Sequence, residues 1–299
     1  MGMDIFEVTD LDLKLNDPVA IAILQPWVDV GKVGSIVLDE LQRHLGAREL
    51  ARLARPGAFF DFTRYRPEMR MVDGKRDFII PNTFIFYGSD SESGRNYILL
   101  NLREPHANAE DYTDAIVELL QYFGVSEYCR IGGMMDSVPH TRSLTVTATL
   151  SDEQADRAKG LVSTSSSGYQ GPTSVVNRVT ECMDQKGIPT ASLMVHMPQY
   201  VQLEEDYMGA YRLMQVLCVT YDLPVSLSNP VRGEQQYREI TQLAERNPQI
   251  QGLIEQLEAR YDQGRIVEDE ALEKASLPPD VEDFLREMGQ RLESPLDDD

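Results

Sequence analysis

Apolar and polar positions along the chain change period in a regular order. Val19–Leu24 (VAIAIL) is a short unbroken apolar run, the pattern of a strand buried on both faces. A loop over Gln25 to Gly31 follows, and from Lys32 the apolar positions Val33, Ile36, Val37, Leu41 and Leu45 recur at steps of three and four. This spacing predicts an amphipathic helix that Gly46 ends. Asp73-Gly74 marks a hairpin between short segments, with Phe78 to Phe86 rich in Phe and Ile. Tyr97–Leu102 (YILLNL) is a second buried strand. Asn108 is placed to cap the next helix, with Asp111 as a near capping box and Ile116, Leu119, Leu120 and Phe123 as its apolar stripe. Tyr128 to Ile131 reads as a strand ending at Gly132-Gly133, and Leu144 to Thr149 alternates with period two as a half-exposed strand does.

A Ser- and Gly-rich loop, Ser163 to Gly171, leads to Pro172 as a first helical residue and a stripe of Val175, Val176, Val179, Cys182 and Met183. Gly187 stops that helix, Thr190 to His196 is the next strand, and Tyr207 to Tyr221 the next helix. Strands alternating with helices of this length predict an α/β fold, with a largely parallel sheet covered on both faces. Past Asn229-Pro230 only helical patterns remain, one opening at Asn247-Pro248 and one at Asp280. The expected organisation is an acidic leader over 1–16, an α/β core over 17–230, a helical region over 231–293 and an acidic, disordered tail over 294–299.

Composition narrows the partners. The 299 residues carry 49 Asp and Glu against 28 Lys and Arg, a formal net charge of −21, which opposes a nucleic-acid backbone or an anionic membrane surface. No apolar run approaches the roughly 20 residues that cross a bilayer, and the first 15 residues are acidic where a secretory signal is basic and then apolar. A cytoplasmic place is therefore expected. Cys129, Cys182 and Cys218 are odd in number, widely spaced and set in apolar surroundings, as packed reduced thiols are.

Familiar catalytic signatures are missing: no phosphate loop, no G-x-G-x-x-G, no G-x-S-x-G and no paired histidines. Neither a metal nor a cofactor is expected. One cluster remains, Asp136 to Arg142, in the connection after the Gly132-Gly133 strand end, where ligands bind in open α/β sheets. There Arg142 suits a carboxylate or phosphate and His140 suits acid–base work, while holding a rigid turn or facing a subunit are the plainer roles. Asp29 beside Trp27, and Glu104 within Arg103 to His106, follow two other strands and complete a candidate acid–base set, although Asp29 also suits a helix cap. Tyr169 and Gly171 precede a helix start that can receive an anion. Ala58 to Pro67, with Phe59, Phe60, Phe62, Tyr65 and Arg66, has the aromatic and Arg content of an interface, or equally of a buried strand.

Taken in order, Trp27-Val28-Asp29 with Gly31, Asp61-Phe62 with Arg66-Pro67, Glu104-Pro105, Pro139-His140-Thr141-Arg142, Tyr169-Gln170-Gly171-Pro172-Thr173, Gly187-Ile188-Pro189 and Met197-Pro198 resemble the proteasome assembly chaperone 2 family over roughly residues 17 to 260. The resemblance implies a three-layer α/β/α sandwich similar to the phosphorylase and hydrolase-like class, with a C-terminal helical extension and a tendency to homo-oligomers. It also implies a role in assembling other proteins. Some relatives dock on proteasomes through a C-terminal hydrophobic-Tyr-any tripeptide; this chain ends Leu296-Asp297-Asp298-Asp299, so that route is not expected.

The expected function is a non-enzymatic, homo-oligomeric assembly-chaperone-like or scaffold protein with a protein partner. The alternative is a phosphorylase- or hydrolase-like enzyme, or a binder of a small anionic ligand of nucleoside or phosphate type. In that alternative Asp29, Glu104 and His140 are the catalytic candidates, and Trp27, Thr141, Arg142, Tyr169 and Gly171 the ligand-binding ones.

Overall fold

The buried apolar runs become the middle of an eight-stranded sheet. A computed structural model describes residues 2–163 and 171–263. Its strands are β1 (Phe6–Val8), β2 (Val19–Gln25), β3 (Arg48–Leu53), β4 (Glu68–Val72), β5 (Lys75–Ile79), β6 (Phe84–Ser89), β7 (Asn96–Arg103), β8 (Glu127–Asp136), β9 (Val146–Thr149) and β10 (Thr190–Pro198). Its helices are α1 (Val33–His44), α2 (Ala109–Tyr122), α3 (Asp152–Arg157), α4 (Val175–Gln185), α5 (Tyr207–Tyr221), α6 (Val231–Ala244) and α7 (Pro248–Asp262). The sheet runs β1-β3-β6-β7-β2-β8-β10-β9, and β4 and β5 form a separate two-stranded sheet. This is an α/β fold with a mixed sheet flanked by helices. The expected parallel order holds at the centre, where β2 pairs parallel with β7 and β8. Toward the edges β6, β3, β1 and β9 pair antiparallel.

The chain sorts into two compact units, each interleaved in sequence. The first holds Met1–Trp27, Leu38–Ile131 and Pro172–Ala191; the second holds Val28–Val37, Gly132–Gly171 and the chain from Ser192 on. In the first unit all six residues Val19 to Leu24 are fully buried, as are Ile98, Leu99 and Leu100. Fully buried strands of this kind need no alternation, because helices cover both faces. In the second unit α5 is buried along most of its length, and its N-cap Asp206 accepts from the Gly209 amide at 2.8 Å. Asn247 caps α7 by accepting from Gln249 N at 3.0 Å.

Several local expectations change. Strand β8 does not stop at Gly132-Gly133 but passes through both to Asp136. These positions need glycine because a Cβ on Gly132 would lie 2.4 Å from the Val28 carbonyl oxygen, and one on Gly133 would lie 2.5 Å from Val33 Cγ2. Asn108 stands at the start of α2 without a side-chain cap bond; its amide donates to the Ala58 carbonyl at 2.8 Å instead. Helix α4 begins at Val175, three residues after Pro172. Ala58 to Pro67 is turn rather than strand. The segment Thr164 to Gln170, the helix expected at Asp280 and the acidic tail lie outside the described residues.

Candidate functional site

The second unit holds Asp29, His140, Thr141 and Arg142 among the candidate residues. The Val28 carbonyl accepts from Gly133 N at 2.9 Å, which ties the Trp27 to Asp29 loop of the sequence to β8. Asp29 is 7% exposed. Its Oδ1 accepts from Gly34 N at 2.8 Å and Ser35 N at 3.2 Å, and its Oδ2 accepts from the Ser35 hydroxyl at 2.5 Å. Burial pushes this carboxyl above the usual carboxylate range, partly offset by those bonds. Asp29 thus works at the start of α1, the plainer of its two expected roles.

The Pro139–Arg142 element is fully engaged. His140 N donates to Tyr200 Oη at 2.8 Å, Tyr200 Oη lies 2.6 Å from His140 Nδ1, and His140 Nε2 lies 3.0 Å from Thr241 Oγ1. Thr241 in turn donates to the Tyr237 carbonyl at 2.9 Å. One assignment satisfies every group: Tyr200 donates to Nδ1, and a neutral imidazole donates from Nε2 to Thr241. Burial lowers the His140 pKa to about 4, against the pull of Glu258. Arg142 forks onto Asp262 at 3.0 and 2.8 Å and reaches Glu258 at 3.0 Å. Thr141 donates to the same Glu258 oxygen, and Tyr261 donates to the Ser143 carbonyl at 2.8 Å. This short element therefore holds α6 and α7. Replacing Arg142 with Ala is expected to free α7, read as faster amide hydrogen exchange across 248–262 with little change in β2; equal exchange in both proteins would contradict the clamp.

The sequence reading missed a third constellation in this unit. Asp136 Oδ2 lies 2.7 Å from His196 Nδ1, and His196 Nε2 lies 2.9 Å from Thr147 Oγ1. Burial pushes the Asp136 carboxyl up, but His196, the Ser137 amide and Arg260 outweigh it and hold it below its usual range. A carboxylate orienting an imidazole against a hydroxyl is the order of groups in acyl-transfer triads. Its members come from β8, β10 and β9, so only strand register brings them together; the period-two pattern of Leu144 to Thr149 was the one sequence signal that put Thr147 on a particular face.

Glu104 belongs to the first unit. Both of its oxygens accept from Val175 N at 3.1 Å, at the start of α4, and burial raises its pKa against that bond. Asp29, Glu104 and His140 thus take separate partners. Phe59 and Phe60, expected as interface side chains, are 5% and 3% exposed. They pack on Tyr112 at ring-centroid distances of 5.6 and 6.2 Å, so they are core. Phe62 and Tyr65 are half-buried and Arg66 exposed. Tyr65 stacks edge-on against His106 at 4.7 Å, with the Arg103 guanidinium 5.3 Å from its ring centroid. Trp27 is 70% exposed, Gly171 is exposed, and Tyr169 lies outside the described residues. Among the described residues no three His, Cys, Asp or Glu side chains are grouped to hold a metal ion, and no helix is long and apolar enough to cross a membrane.

Residues 23–244 match the model of the PAC2 family. A protein of unknown function from Corynebacterium glutamicum superposes with a TM-score of 0.77 at 23% identity, covering 87% of this chain and 97% of its own. A proteasome-assembly chaperone homologue from Mycobacterium tuberculosis gives 0.66 at 25% identity, covering 75% of this chain and 94% of its own. PbaB of Pyrococcus furiosus, an archaeal proteasome activator, gives 0.62 at 15% identity over 81% of this chain and 97% of its own, a likeness of fold. No curated protein matches. A family model spanning well over half of the 299 residues, together with neighbours of the same fold, settles the kinship: the chain belongs to the PAC2 family.

Proposed function

We propose that this chain is a non-enzymatic, homo-oligomeric, cytoplasmic scaffold of assembly-chaperone type that acts on protein partners. The observation that carries this reading is the engagement of Pro139–Arg142: His140 is neutral between Tyr200 and Thr241, and Arg142 is neutralised by Glu258 and Asp262. An arginine already forked onto a carboxylate has no free face for a small anion. Family membership and the chaperone homologue from Mycobacterium tuberculosis support a protein partner in place of a small substrate.

A second reading, a hydrolase-like site at the strand ends, rests on the Asp136–His196–Thr147 chain. One sample separates the two. The purified chain is expected to sediment as a closed oligomer, and Thr147 to stay unmodified after exposure to an activated ester, read by peptide mass spectrometry. A monomer acylated at Thr147 would overturn the scaffold reading in favour of the hydrolase one.

A further inference from the structure

The β4–β5 hairpin has two unlike faces. In its register Met69 stands opposite Phe78 and Met71 opposite Arg76, while Glu68, Arg70, Val72, Lys75, Asp77 and Ile79 alternate onto the other face. The first face is thus apolar with a single charge, Arg76. Its apolar members stand in water: Met69 is 56%, Met71 63% and Phe78 57% exposed. A lone two-stranded hairpin is marginal in water, and among the described residues these strands pair with no third.

Phe78 also lines a cleft of about 750 Å³ at the hairpin root, together with Arg52, Arg55, Phe62, Ile80 and Phe84. Glu7 is the one carboxylate lining that cleft, and it accepts from Arg52 Nε at 2.9 Å. That pair cancels. Arg55 in the cleft and Arg76 on the arm pair with no carboxylate among the described residues, so both cations are left for an occupant. They belong to a stretch, residues 48–84, that holds 8 basic and 5 acidic residues, a net of +3 within a chain of −21. At physiological salt the acidic remainder is screened beyond about 8 Å, so the nearest charges decide what this surface accepts. The complement of the surface is a segment with apolar anchors and carboxylates between them. A small apolar anion would fill the cleft and leave Met69 and Met71, which stand on the arm outside it, in water; a protein segment covers both.

We propose that the Met69, Met71 and Phe78 face and the cleft at its root dock an acidic, apolar segment of a different protein, its apolar side chains on that face and in the cleft and its carboxylates on Arg55 and Arg76. This rests on the protein-partner reading above and names the surface and the chemistry of what it takes. The contact lies wholly in the first unit.

The test is fluorescence anisotropy of the full chain with two labelled peptides of 16 residues, one with Leu and Phe at i, i+3, i+4 and i+7 and Glu elsewhere, the other with Lys in place of Glu. Wild type is expected to bind the Glu peptide at least about tenfold more tightly than the Lys peptide. M71D/F78D is expected to lose about tenfold or more for the Glu peptide, with an unchanged melting temperature because both side chains are already in water. R55E/R76E is expected to reverse the preference between the peptides, which a merely sticky apolar surface would not do. V225D, at a residue 72% exposed and outside the arm, is expected to bind as wild type does. Equal binding of both peptides, or binding that M71D/F78D leaves intact, overturns the proposal. Slow hydrogen exchange across 68–79 before any peptide is added means that this chain or a copy of it already covers the surface, and overturns it too. A chain that sediments as a closed oligomer and binds neither peptide overturns this docking surface and spares the scaffold reading.

Discussion

Gly132→Ala is expected to destabilise the protein by roughly 3 kcal/mol or more, a drop of about 6–12 °C in melting temperature for a chain of this size. The cause is backbone against Cβ. The added methyl would sit 2.4 Å from the Val28 carbonyl oxygen, with Met194 Sδ and Cε at 3.4 Å behind it. A side chain can rotate away, but a carbonyl held by Gly133 N at 2.9 Å can move only with its loop. The loss of Val28 from its place also disturbs Asp29, the next residue, and so the start of α1. Gly252→Ala is the control: it lies within α7, nothing stands within 4 Å of its added Cβ, and alanine favours helix, so its melting temperature should hold or rise. A melting temperature for Gly132→Ala within experimental error of wild type would mean that β8 and Val28 do not approach as described.

His140→Gln is expected to lower stability at pH 7 and to flatten its fall in acid. The folded-state pKa of His140 is about 4, below the ordinary value of 6.5, so the unfolded chain takes up the proton first. The sign follows directly. The contribution of His140 is complete above pH 6.5 and is lost as the pH falls toward and through 4. Over that window the wild type should lose about 3 kcal/mol that glutamine, which does not titrate there, cannot lose. At pH 7 the variant should be weaker by about 2 kcal/mol, because Tyr200 and Thr241 lose well-placed partners in a largely buried setting. The two stability curves should therefore approach each other and cross between pH 6.5 and 4 in urea titrations. Parallel curves would remove the buried, neutral imidazole, and with it the reading of His140 as a structural residue. A base working near neutrality needs a pKa near the working pH, and this environment moves His140 away from it.

Much of the fold was legible because the pattern and the packing agree. Val19–Leu24, unbroken, and Tyr97–Leu102, interrupted only by Asn101, have the apolar character of strands covered on both faces, and both lie at the sheet centre. Tyr207–Tyr221 is a helix over the bounds its stripe predicts. Strand β3 was missed, and its sequence explains why: Arg48-Glu49-Leu50-Ala51-Arg52-Leu53 is made largely of helix formers, and a register shift between Glu49 and Ala51 breaks the alternation that would have marked it. At the site, Pro139–Arg142 was visible as an unusual cluster, but its partners were not. Tyr200, Thr241, Glu258 and Asp262 lie 60 to 120 residues away.

The sequence by itself determined the alternation of strands and helices, the PAC2 kinship and the residues that follow the central strands, since each depends on local spacing or on motif order. The tertiary structure decided what those residues do. It set Asp29 and Glu104 at helix starts, turned Phe59 and Phe60 into the core, tied Arg142 to α7 and left Met69, Met71 and Phe78 in water. It alone joined Asp136, His196 and Thr147, because register between strands β8, β10 and β9, and not distance along the chain, fixes which side chains meet.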